Sequence, residues 1–390
     1  MSIDWRSEAN ALAGEIEGLR RAIHRRPELG NHEFETAARI EEYLQSIGVE
    51  TRRLLDTAVV GRLRGGLPGQ GGLPGKTVAL RADMDALPLT EATGADFASE
   101  HPGVMHACGH DVHVAGALGA ARLLAAHRQD LPGDVVFLFQ PDEENDGGAQ
   151  RLVDAGALEG VDAVFGAHVS PDVPSGCAGV RYGKFYAAAD VFNVTVRGRS
   201  VHGAEREKGV DALAAAAEMV GVALSLQETM PEGERCVITI GTFRAGTARN
   251  IVADAAEFTG IIRTLGPWAR RELRERFVTA MEATAQLYGA TVDCRMIVGY
   301  PGVVNDDAMT ALAEKAIGQA LGEGNVFRIA EPTLTTEDFG CYLEGRPGAF
   351  YHVGAGCGLR LHSPGFLPDD RAAVTAAAAH AAVLWAFLAE

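Results

Sequence analysis

Short apolar segments that alternate with helical segments constrain the fold of this chain most strongly. After helices over 8–25 and 33–47, strands are expected over 58–63, 77–81, 135–139 and 163–166, with helices over 110–126 and 148–155. Apolar strands that alternate with helices are typical of a doubly wound, largely parallel sheet. The Gly-rich stretch 65–75 is predicted to form a loop between the first two strands.

The middle of the chain follows a different order. A strand over 191–196 is followed by a helix over 211–227, strands over 236–243 and 257–264, a helix over 267–288 and a strand over 291–298. This βαββαβ order is the ferredoxin-like arrangement. We therefore predict an α/β protein in which residues 1–186 and 301–390 form one domain, completed by helices at 306–321 and 370–388. Residues 187–300 form an inserted α+β domain.

Composition argues against several classes of function. The 390 residues carry a net charge of -17, which disfavours binding to nucleic acid or to anionic membranes. The first part of the chain has no apolar core of signal-peptide length, and the longest strongly apolar stretch, 135–139, is too short to cross a bilayer. The six cysteines include no Cys-x-x-Cys pair and form no disulfide framework. We therefore expect a cytoplasmic protein.

Five segments bring metal-ligating residue types to one edge of the predicted sheet. They are Asp83 to Asp85, Gln140 to Glu144 and His168, each after a strand, the run from His106 to His113 at a helix start, and His362 after a strand-like stretch at 349–353. In open α/β sheets, ligands bind beyond the carboxyl ends of the strands. This convergence favours a common site more strongly than any single motif does.

Each segment also has a simpler explanation when it is taken alone. The candidates are an exposed acidic turn, a solvated pair of glutamates, a buried thiol beside a helix-capping histidine, and a structural histidine. The surface explanation is weaker for Glu143 and Glu144, because they follow an apolar strand and Pro141. No G-x-x-x-x-G-K-[ST] motif accompanies the Gly-rich turn after Glu144, so nucleotide binding is not expected.

The donor types indicate a divalent metal. Thiolate, imidazole and carboxylate are the usual ligands of zinc. One cysteine, several histidines and more carboxylates than one ion needs favour two ions with an open position over a closed structural site. The adjacent pair Glu143 and Glu144 suits such a site, because the side chains of successive residues leave the backbone in different directions. One can bind metal while the other acts as the base toward a bound water.

These motifs resemble those of the zinc-dependent aminoacylase/carboxypeptidase family of metallohydrolases. The likeness is greatest to its amidohydrolase branch, which holds hippurate hydrolase, bacterial N-acyl-amino-acid hydrolases and plant indole-acetyl-amino-acid hydrolases. The matching stretches are HRRPELG at 24–30, RADMDALP at 81–88, MHACGHD at 105–111, FQPDEE at 139–144, GAH at 166–168 and EDF at 337–339. They span nearly the whole chain in the same order, and the Cys-Gly-His-Asp and Gln-Pro-x-Glu-Glu motifs together are highly specific.

The resemblance implies hydrolysis of the amide bond of N-acyl amino acids. Glu143 would be the general base toward a water that bridges two divalent ions, with zinc expected first and manganese, cobalt or nickel as alternatives. His202 would reach the active site of the partner subunit and steady the oxyanion, while Asn250 and Arg263 would hold the substrate carboxylate. The implied metal ligands are Cys108, His110, Glu144, His168 and His362. The inserted domain would form the interface of a homodimer.

The chain departs from the family pattern at two places. The family often has Ala at the position of Asp142, and it usually has Pro shortly after the inserted-domain histidine, where this chain has Glu205 to Lys208.

Two other functions stay open, an exopeptidase or dipeptidase of the same family and a non-catalytic metal-binding protein. The strand over 191–196 and the Ala-rich helix after it are expected to present an exposed edge that a twofold partner covers.

Overall fold

A computed structural model describes residues 3–67 and 75–390, which divide into two compact units. Unit 1 comprises the described part of Met1–Gly183 together with Val304–Glu331 and Asp338–Glu390, and unit 2 comprises Lys184–Val303 and Pro332–Glu337. Part of the loop expected over 65–75, residues 68–74, lies outside the described residues. Strands and helices are numbered in chain order through both units.

Unit 1 is built on an eight-stranded sheet of order β1-β2-β4-β3-β5-β14-β6-β13. The four adjacent strands β4, β3, β5 and β14 run parallel, and the antiparallel β2 and β6 flank them. The strands are Glu50–Leu54 (β1), Ala58–Leu63 (β2), Lys76–Asp83 (β3), Gly133–Gln140 (β4), Ala163–Ser170 (β5), Ala178–Val180 (β6), Val326–Arg328 (β13) and Gly348–Gly354 (β14). This mostly parallel sheet confirms the predicted fold class.

The helices of unit 1 largely follow the sequence pattern. They are Trp5–Ala11 (α1), Ala13–His24 (α2), Phe34–Ser46 (α3), His110–Ala126 (α4), Ala149–Asp154 (α5), Asp307–Leu321 (α8), Gly340–Leu343 (α9) and Arg371–Ala389 (α10). The single helix expected over 8–25 was wrong, because Leu12 leaves the helical region with φ -98° and ψ 7° and separates α1 from α2. Gly48, with φ +75°, follows the end of α3.

Helix α10 corrects the expectation that 135–139 is the longest apolar stretch. Among the described residues, it alone is long and apolar enough to span a membrane by length and composition. Of its most apolar 18-residue window, 83% is buried in the structure, where α10 packs against α4. A mostly buried core helix passes the same test of length and hydropathy, so its composition is weak evidence for a membrane span.

Unit 2 has the predicted βαββαβ order. Its elements are Ala188–Arg197 (β8), Ala212–Leu226 (α6), Cys236–Ala245 (β9), Ala255–Thr264 (β10), Pro267–Leu287 (α7) and Thr291–Val298 (β11). The antiparallel sheet has the order β11-β8-β10-β9, and a core around Phe192, Phe258 and Phe277 joins it to the two helices. The strand expected over 191–196 as an exposed edge is therefore interior, because β8 pairs on both sides.

Two short strands, and a short segment by which the chain goes back from unit 1 to unit 2, were not predicted. The two-residue strands Gly183–Lys184 (β7) and Val304–Asn305 (β12) lie where the chain passes between the units. Residues 332–337, assigned to the first domain from the sequence, belong to unit 2. Their backbone bonds to segment 185–187, as in the 3.0 Å bond from Ala187 N–H to Thr335 O. Six residues without periodicity carry no signal of such a pairing.

A buried ionic network fixes the start of α4. The Arg20 Nε and the His24 Nδ1 lie 2.7 and 2.8 Å from the same carboxylate oxygen of Asp111, and the Arg20 Nη1 donates to Asp370 at 2.7 Å. Burial opposes protonation of His24, but the Asp111 carboxylate and Glu91 raise its pKa to about 9. The network therefore connects α2 to the first turn of α4 and to the residue before α10.

The raised pKa of His24 predicts a loss of stability at alkaline pH. A group whose pKa is raised on folding contributes fully below its unfolded value of 6.5, and that contribution is lost as pH rises through about 9. The expected loss is on the order of 3 kcal/mol, and His24→Gln should lack it. Urea unfolding at pH 6, 7.5 and 9 with a chelator in every sample checks this, and parallel profiles for the two proteins would contradict it.

Candidate metal centre

The predicted site residues of unit 1 meet at the carboxyl ends of its parallel strands. Asp83 is the last residue of β3, and Glu143 follows β4 after a short turn. His168 lies inside β5 rather than after it, because this strand continues to Ser170. His362 lies in the connection between β14 and α10, with a positive φ of 60°.

The segment that carries Cys108 is shaped by a glycine. Gly109, the N-cap of α4, has φ +88°, a left-handed conformation that favours glycine. A Cβ at this position would also lie 2.4 Å from the Cγ2 atom of Val169. The His362 N–H donates to the backbone oxygen of Ala107 at 2.8 Å, so the late loop is held against the Cys108 segment.

Five side chains predicted as ligands form one cluster. The Cys108 Sγ lies 3.3 Å from the Nε2 of His168 and 3.3 Å from the Nε2 of His362. The Glu144 Oε1 lies 3.2 Å from the His362 Nε2 and 3.9 Å from the His110 Nε2. Two groups of three share Cys108, one with His110 and His168 and the other with Glu144 and His362.

Two of the imidazoles are held so that Nε2 faces the cluster. The Nδ1 of His168 donates to the Val169 carbonyl at 2.6 Å, and the Nδ1 of His110 donates to the Asp85 carbonyl at 2.9 Å. With Nδ1 protonated, the Nε2 lone pair of each neutral ring is available to a cation. Hydrogen bonds of this kind orient the histidine ligands of metal sites.

Sequence reasoning placed Asp83, Asp85 and His113 in segments that reach this site but assigned them no individual role. In the structure they contact the ligand-type side chains or the backbone next to them. The Asp85 carboxylate lies 3.1 Å from the His110 Nδ1 and accepts the Glu144 N–H at 3.1 Å. The Val169 N–H donates to the His113 Nε2, so its Nδ1 carries the proton that Asp83 accepts. The i,i+2 aspartates at the end of β3 and the i,i+3 histidines on α4 were the available signals.

A second buried network holds the turn after β4. Arg81, whose side chain is fully buried, donates to the side chains of Asp83, Gln140 and Asp338. Gln140 in turn donates to Asp338 at 2.7 Å, and the Tyr342 hydroxyl donates to Gln140 at 3.0 Å. The single positive charge of Arg81 is thus shared between the carboxylates of Asp83 and Asp338.

The electrostatics of the cluster suit a bound cation. Burial raises the pKa of the Cys108 thiol well above its usual range, and the Glu144 and Glu143 carboxylates act in the same direction. Burial lowers the pKa of His168 well below its usual range. Burial also opposes the charged form of His110, but the Asp83 carboxylate outweighs it and the pKa of His110 is raised. A bound divalent ion would offset the cost of burying the Cys108 thiolate. It would also take the place of the proton that the raised pKa of His110 favours.

Two orphaned polar atoms test the fit of a metal. The His110 Nε2 and the Glu144 Oε1 are buried and make no hydrogen bond of ordinary geometry. A sulfur and a nitrogen on one tetrahedral zinc ion are roughly 3.5 Å apart, close to the 3.3 Å between Cys108 and each of two imidazoles. These residues therefore fit a divalent metal centre.

Glu143 lies beside this cluster and is buried, with 8% of its surface exposed. One of its carboxylate oxygens, one of Glu144 and one nitrogen of His110 lie within 4.8 Å of one another. The pair is therefore not the solvated surface pair that adjacent glutamates usually form.

The three site residues predicted in unit 2 fall into two places. A backbone bridge joins His202 to Ile251, next to Asn250, and both His202 and Asn250 are exposed. Arg263 is partly buried near the far end of β10, where its Nη1 donates to the Leu334 carbonyl at 3.1 Å. The start of β10 and Arg263 are eight residues apart, roughly 26 Å at about 3.3 Å per residue.

Comparisons with known proteins agree with the motifs. The model of peptidase family M20/M25/M40 matches residues 79–386. N-acetyl-L-cysteine deacetylase of Bacillus subtilis strain 168 is 35% identical over 372 residues, covering 94% of this chain and 86% of its own length. IAA-amino acid hydrolase ILR1-like 4 of Arabidopsis thaliana is 35% identical over 386 residues, covering 96% of this chain and 86% of its own length.

A solved structure supports the fold and the nature of the centre. The YXEP protein of Bacillus subtilis, a dinuclear metal binding peptidase from the M20 family, superimposes with a TM-score of 0.87 at 34% identity. The match covers 97% of this chain and 99% of that chain. Together these matches confirm the family resemblance, the fold class and the expectation of a metal-dependent amide hydrolase.

The cluster predicts that Cys108 is needed for full metal loading. Cys108→Ala should bind about one divalent ion fewer per chain, because the sulfur belongs to the group with His110 and His168 and to the group with Glu144 and His362. Cys177→Ala, which removes a half-buried thiol near β6, is the matched control and should keep the wild-type content. Elemental analysis measures this, and a fully loaded Cys108→Ala protein would contradict the assignment. The Cys108 thiol should also react with a thiol reagent faster after chelation.

Proposed function

The chain belongs to peptidase family M20/M25/M40, and from that premise we propose that it is a two-metal hydrolase of N-acyl amino acids. The reaction is an N-acyl amino acid plus water to a carboxylic acid and an amino acid. The observation that carries the proposal is the largely buried cluster in which Glu143 lies beside five ligand-type side chains, of which His362 is exposed. The names of the deacetylase and the IAA-amino acid hydrolase support this substrate class.

The residues of unit 1 divide the chemistry between them. Cys108, His110, Glu144, His168 and His362 would hold the two ions, with zinc proposed first and manganese, cobalt or nickel as alternatives. The ions would supply an acidic water and polarise the scissile carbonyl. Glu143 would take the proton of the attacking water and deliver it to the leaving amine.

The residues of unit 2 would bind the substrate. We propose Arg263 and Asn250 as partners of the substrate carboxylate and His202 as the residue that steadies the oxyanion. A guanidinium is a fixed positive charge with bidentate geometry, which an anionic substrate needs in a chain of net charge -17. Glu205 and Lys208, which form an ion pair after His202, give this loop a charged character.

The separation of these residues supports a homodimer as the active form. His202 and Asn250 lie together, whereas Arg263 lies near the other end of the same sheet. One substrate cannot meet both ends, so in our proposal the His202 end serves the active site of the partner subunit. The proposed interface is the sheet edge formed by β9 and the neighbouring α6, where Phe243, Leu213 and Leu224 are exposed.

Peptide hydrolysis is the second candidate activity. It is favoured by the family description and by the YXEP protein, which is called a peptidase. Acetyl- and benzoyl-amino acids assayed against dipeptides with a free amine separate the two, because only the peptides carry a positive charge beside the scissile amide. Higher kcat/KM on the dipeptides would overturn the main proposal.

We also propose a cytoplasmic location, which six free thiols fit.

The two adjacent glutamates give the sharpest test of mechanism. Glu143→Gln keeps size and hydrogen bonding but cannot take a proton, so turnover should fall by roughly two to four powers of ten with metal content unchanged. Glu144→Gln should instead lose metal, because an amide oxygen is a poorer ligand than a carboxylate. Elemental analysis and single-substrate kinetics on both variants measure the difference.

The same pair of variants can reverse the assignment. If Glu143→Gln lost metal while Glu144→Gln kept it, Glu143 would be the ligand and Glu144 the base. Affinity for a product amino acid is the matched control. It should hardly change in Glu143→Gln, because binding is assigned to Arg263, Asn250 and the metals.

The homodimer is tested by mass in solution. Light scattering should give about twice the chain mass of 41.1 kDa, and Phe243→Glu with Leu224→Glu should reduce the dimer and the activity together. Leu287→Glu, at an exposed position at the end of α7, is the control and should stay dimeric. A fully active wild-type monomer would rule out both the dimer and the proposed reach of His202.

A further inference from the structure

The residue before the general base adopts an unusual conformation. Asp142 has φ +60°, in the left-handed region that few non-glycine residues adopt, and only 1% of its surface is exposed. It lies between Pro141 and the Glu143–Glu144 pair, directly after the strand that leads to the centre. A buried carboxylate next to metal-binding acids is costly unless donors surround it.

Three donors from two segments surround this carboxylate. The Asn31 Nδ2 and the Arg151 Nη1 lie 2.6 and 3.3 Å from its Oδ2, and the Asn145 Nδ2 lies 3.1 Å from its Oδ1. Arg151 also donates to the Asn31 side-chain oxygen at 2.7 Å, which closes a ring of contacts. The Asp142 carboxylate is therefore paired with two amide donors and one cation.

The chain before α3 is fitted to this carboxylate. A Cβ at Gly30 would lie 2.1 Å from the Asp142 Oδ1, so position 30 leaves room only for glycine while Asp142 stays in place. Asn31 itself has φ +63°, a conformation that Asn tolerates better than most residues. Two unusual backbone conformations thus face each other across one set of hydrogen bonds.

Backbone contacts fix the peptide on both sides of Glu143. The Asp142 N–H donates to the buried Glu33 carboxylate at 3.0 Å, and the Thr57 hydroxyl donates to the same group at 2.8 Å. The Glu144 N–H donates to Asp85 at 3.1 Å. Glu143 is the one residue between these anchors, so its direction follows from them.

We propose that Asp142 is a positioning residue, which through Asn31, Asn145 and Arg151 holds the left-handed turn that presents Glu143 and Glu144 to the metal centre. The proposal rests on the proposed function for the role of Glu143. It assigns Asp142 no contact with substrate or metal. A residue that only had to adopt a positive φ would need no side-chain contacts. The proposed role of Asp142 requires its side-chain hydrogen bonds as well as its backbone conformation.

Three substitutions separate conformation from hydrogen bonding. Asp142→Gly accepts the left-handed conformation but removes every side-chain contact, and Asp142→Ala loses both. Asp142→Asn keeps the conformation and an acceptor oxygen for Asn31 and Arg151. The expected order of function is therefore wild type, then Asn, then Gly, then Ala. If only φ mattered, Gly would match the wild type.

The first measurement needs no substrate. Apoprotein is titrated with Co²⁺, and the cobalt–thiolate absorption of Cys108 reports occupancy. Asp142→Ala should bind Co²⁺ about tenfold more weakly than wild type, the lower end of the range for residues that support metal ligands. Gln150→Ala, an exposed change beside Arg151, is the matched control and should bind as the wild type does.

The second measurement uses the amide that the wild type cleaves fastest. Asp142→Ala should lower kcat by roughly ten- to a hundredfold with KM within about threefold, because the base is misplaced and substrate contacts are not. Asp142→Asn should recover most of this loss. Should Asp142→Ala fail to fold, Asn31→Gly keeps the positive φ at 31, removes one donor and should show a smaller loss of the same kind.

The outcomes separate this proposal from the proposed function. Wild-type Co²⁺ affinity and kcat in Asp142→Ala, or full recovery in Asp142→Gly, would overturn the positioning role. A wild-type protein that binds two ions but hydrolyses no N-acyl amino acid would overturn the proposed substrate class alone. The order of Co²⁺ affinities would still decide the role of Asp142.

Discussion

The Asp85 carboxylate joins the two segments on which the metal centre depends. One oxygen lies 3.1 Å from the His110 Nδ1, and the other accepts the Glu144 N–H at 3.1 Å. The first contact helps to turn the His110 Nε2 toward the cluster, and the second fixes the turn after β4. The His110 contact is buried and the Glu144 contact is partly buried, so loss of the carboxylate would misplace a proposed ligand on each side and leave polar groups without partners.

The pairing of acidic side chains with arginines of the protein indicates which carboxylates are left to bind a metal. Asp83 is paired with the Arg81 guanidinium, and Asp142 is surrounded by donors that include Arg151. Cys108 and Glu144 face imidazole nitrogens instead, at distances that suit shared coordination. The protein therefore pairs Asp83 and Asp142 with its own cations, while the proposed ligands are left without one and suit an external cation.

Sequence patterns predicted the central strands and the segments of the site because both depend on local order. Apolar runs and the polar residues after them are covalently linked, and parallel strands bring their carboxyl ends to one edge. The pattern missed β1, β6 and β13, which are short or partly exposed, and the return of 332–337 to unit 2. These elements exist through pairing with distant strands, which leaves little periodic signal.

The sequence by itself determined the fold class, the donor types and the family, because periodicity, residue chemistry and motif order are properties of the chain. Only the tertiary structure decided which imidazole nitrogens face Cys108, and that Asn31, Asn145 and Arg151 pair with Asp142. It also placed β8 inside its sheet, paired His202 with Ile251 before the start of β10, and left Arg263 near the end of that strand. The physical reason is that side-chain direction and strand neighbours depend on contacts between residues far apart in the chain.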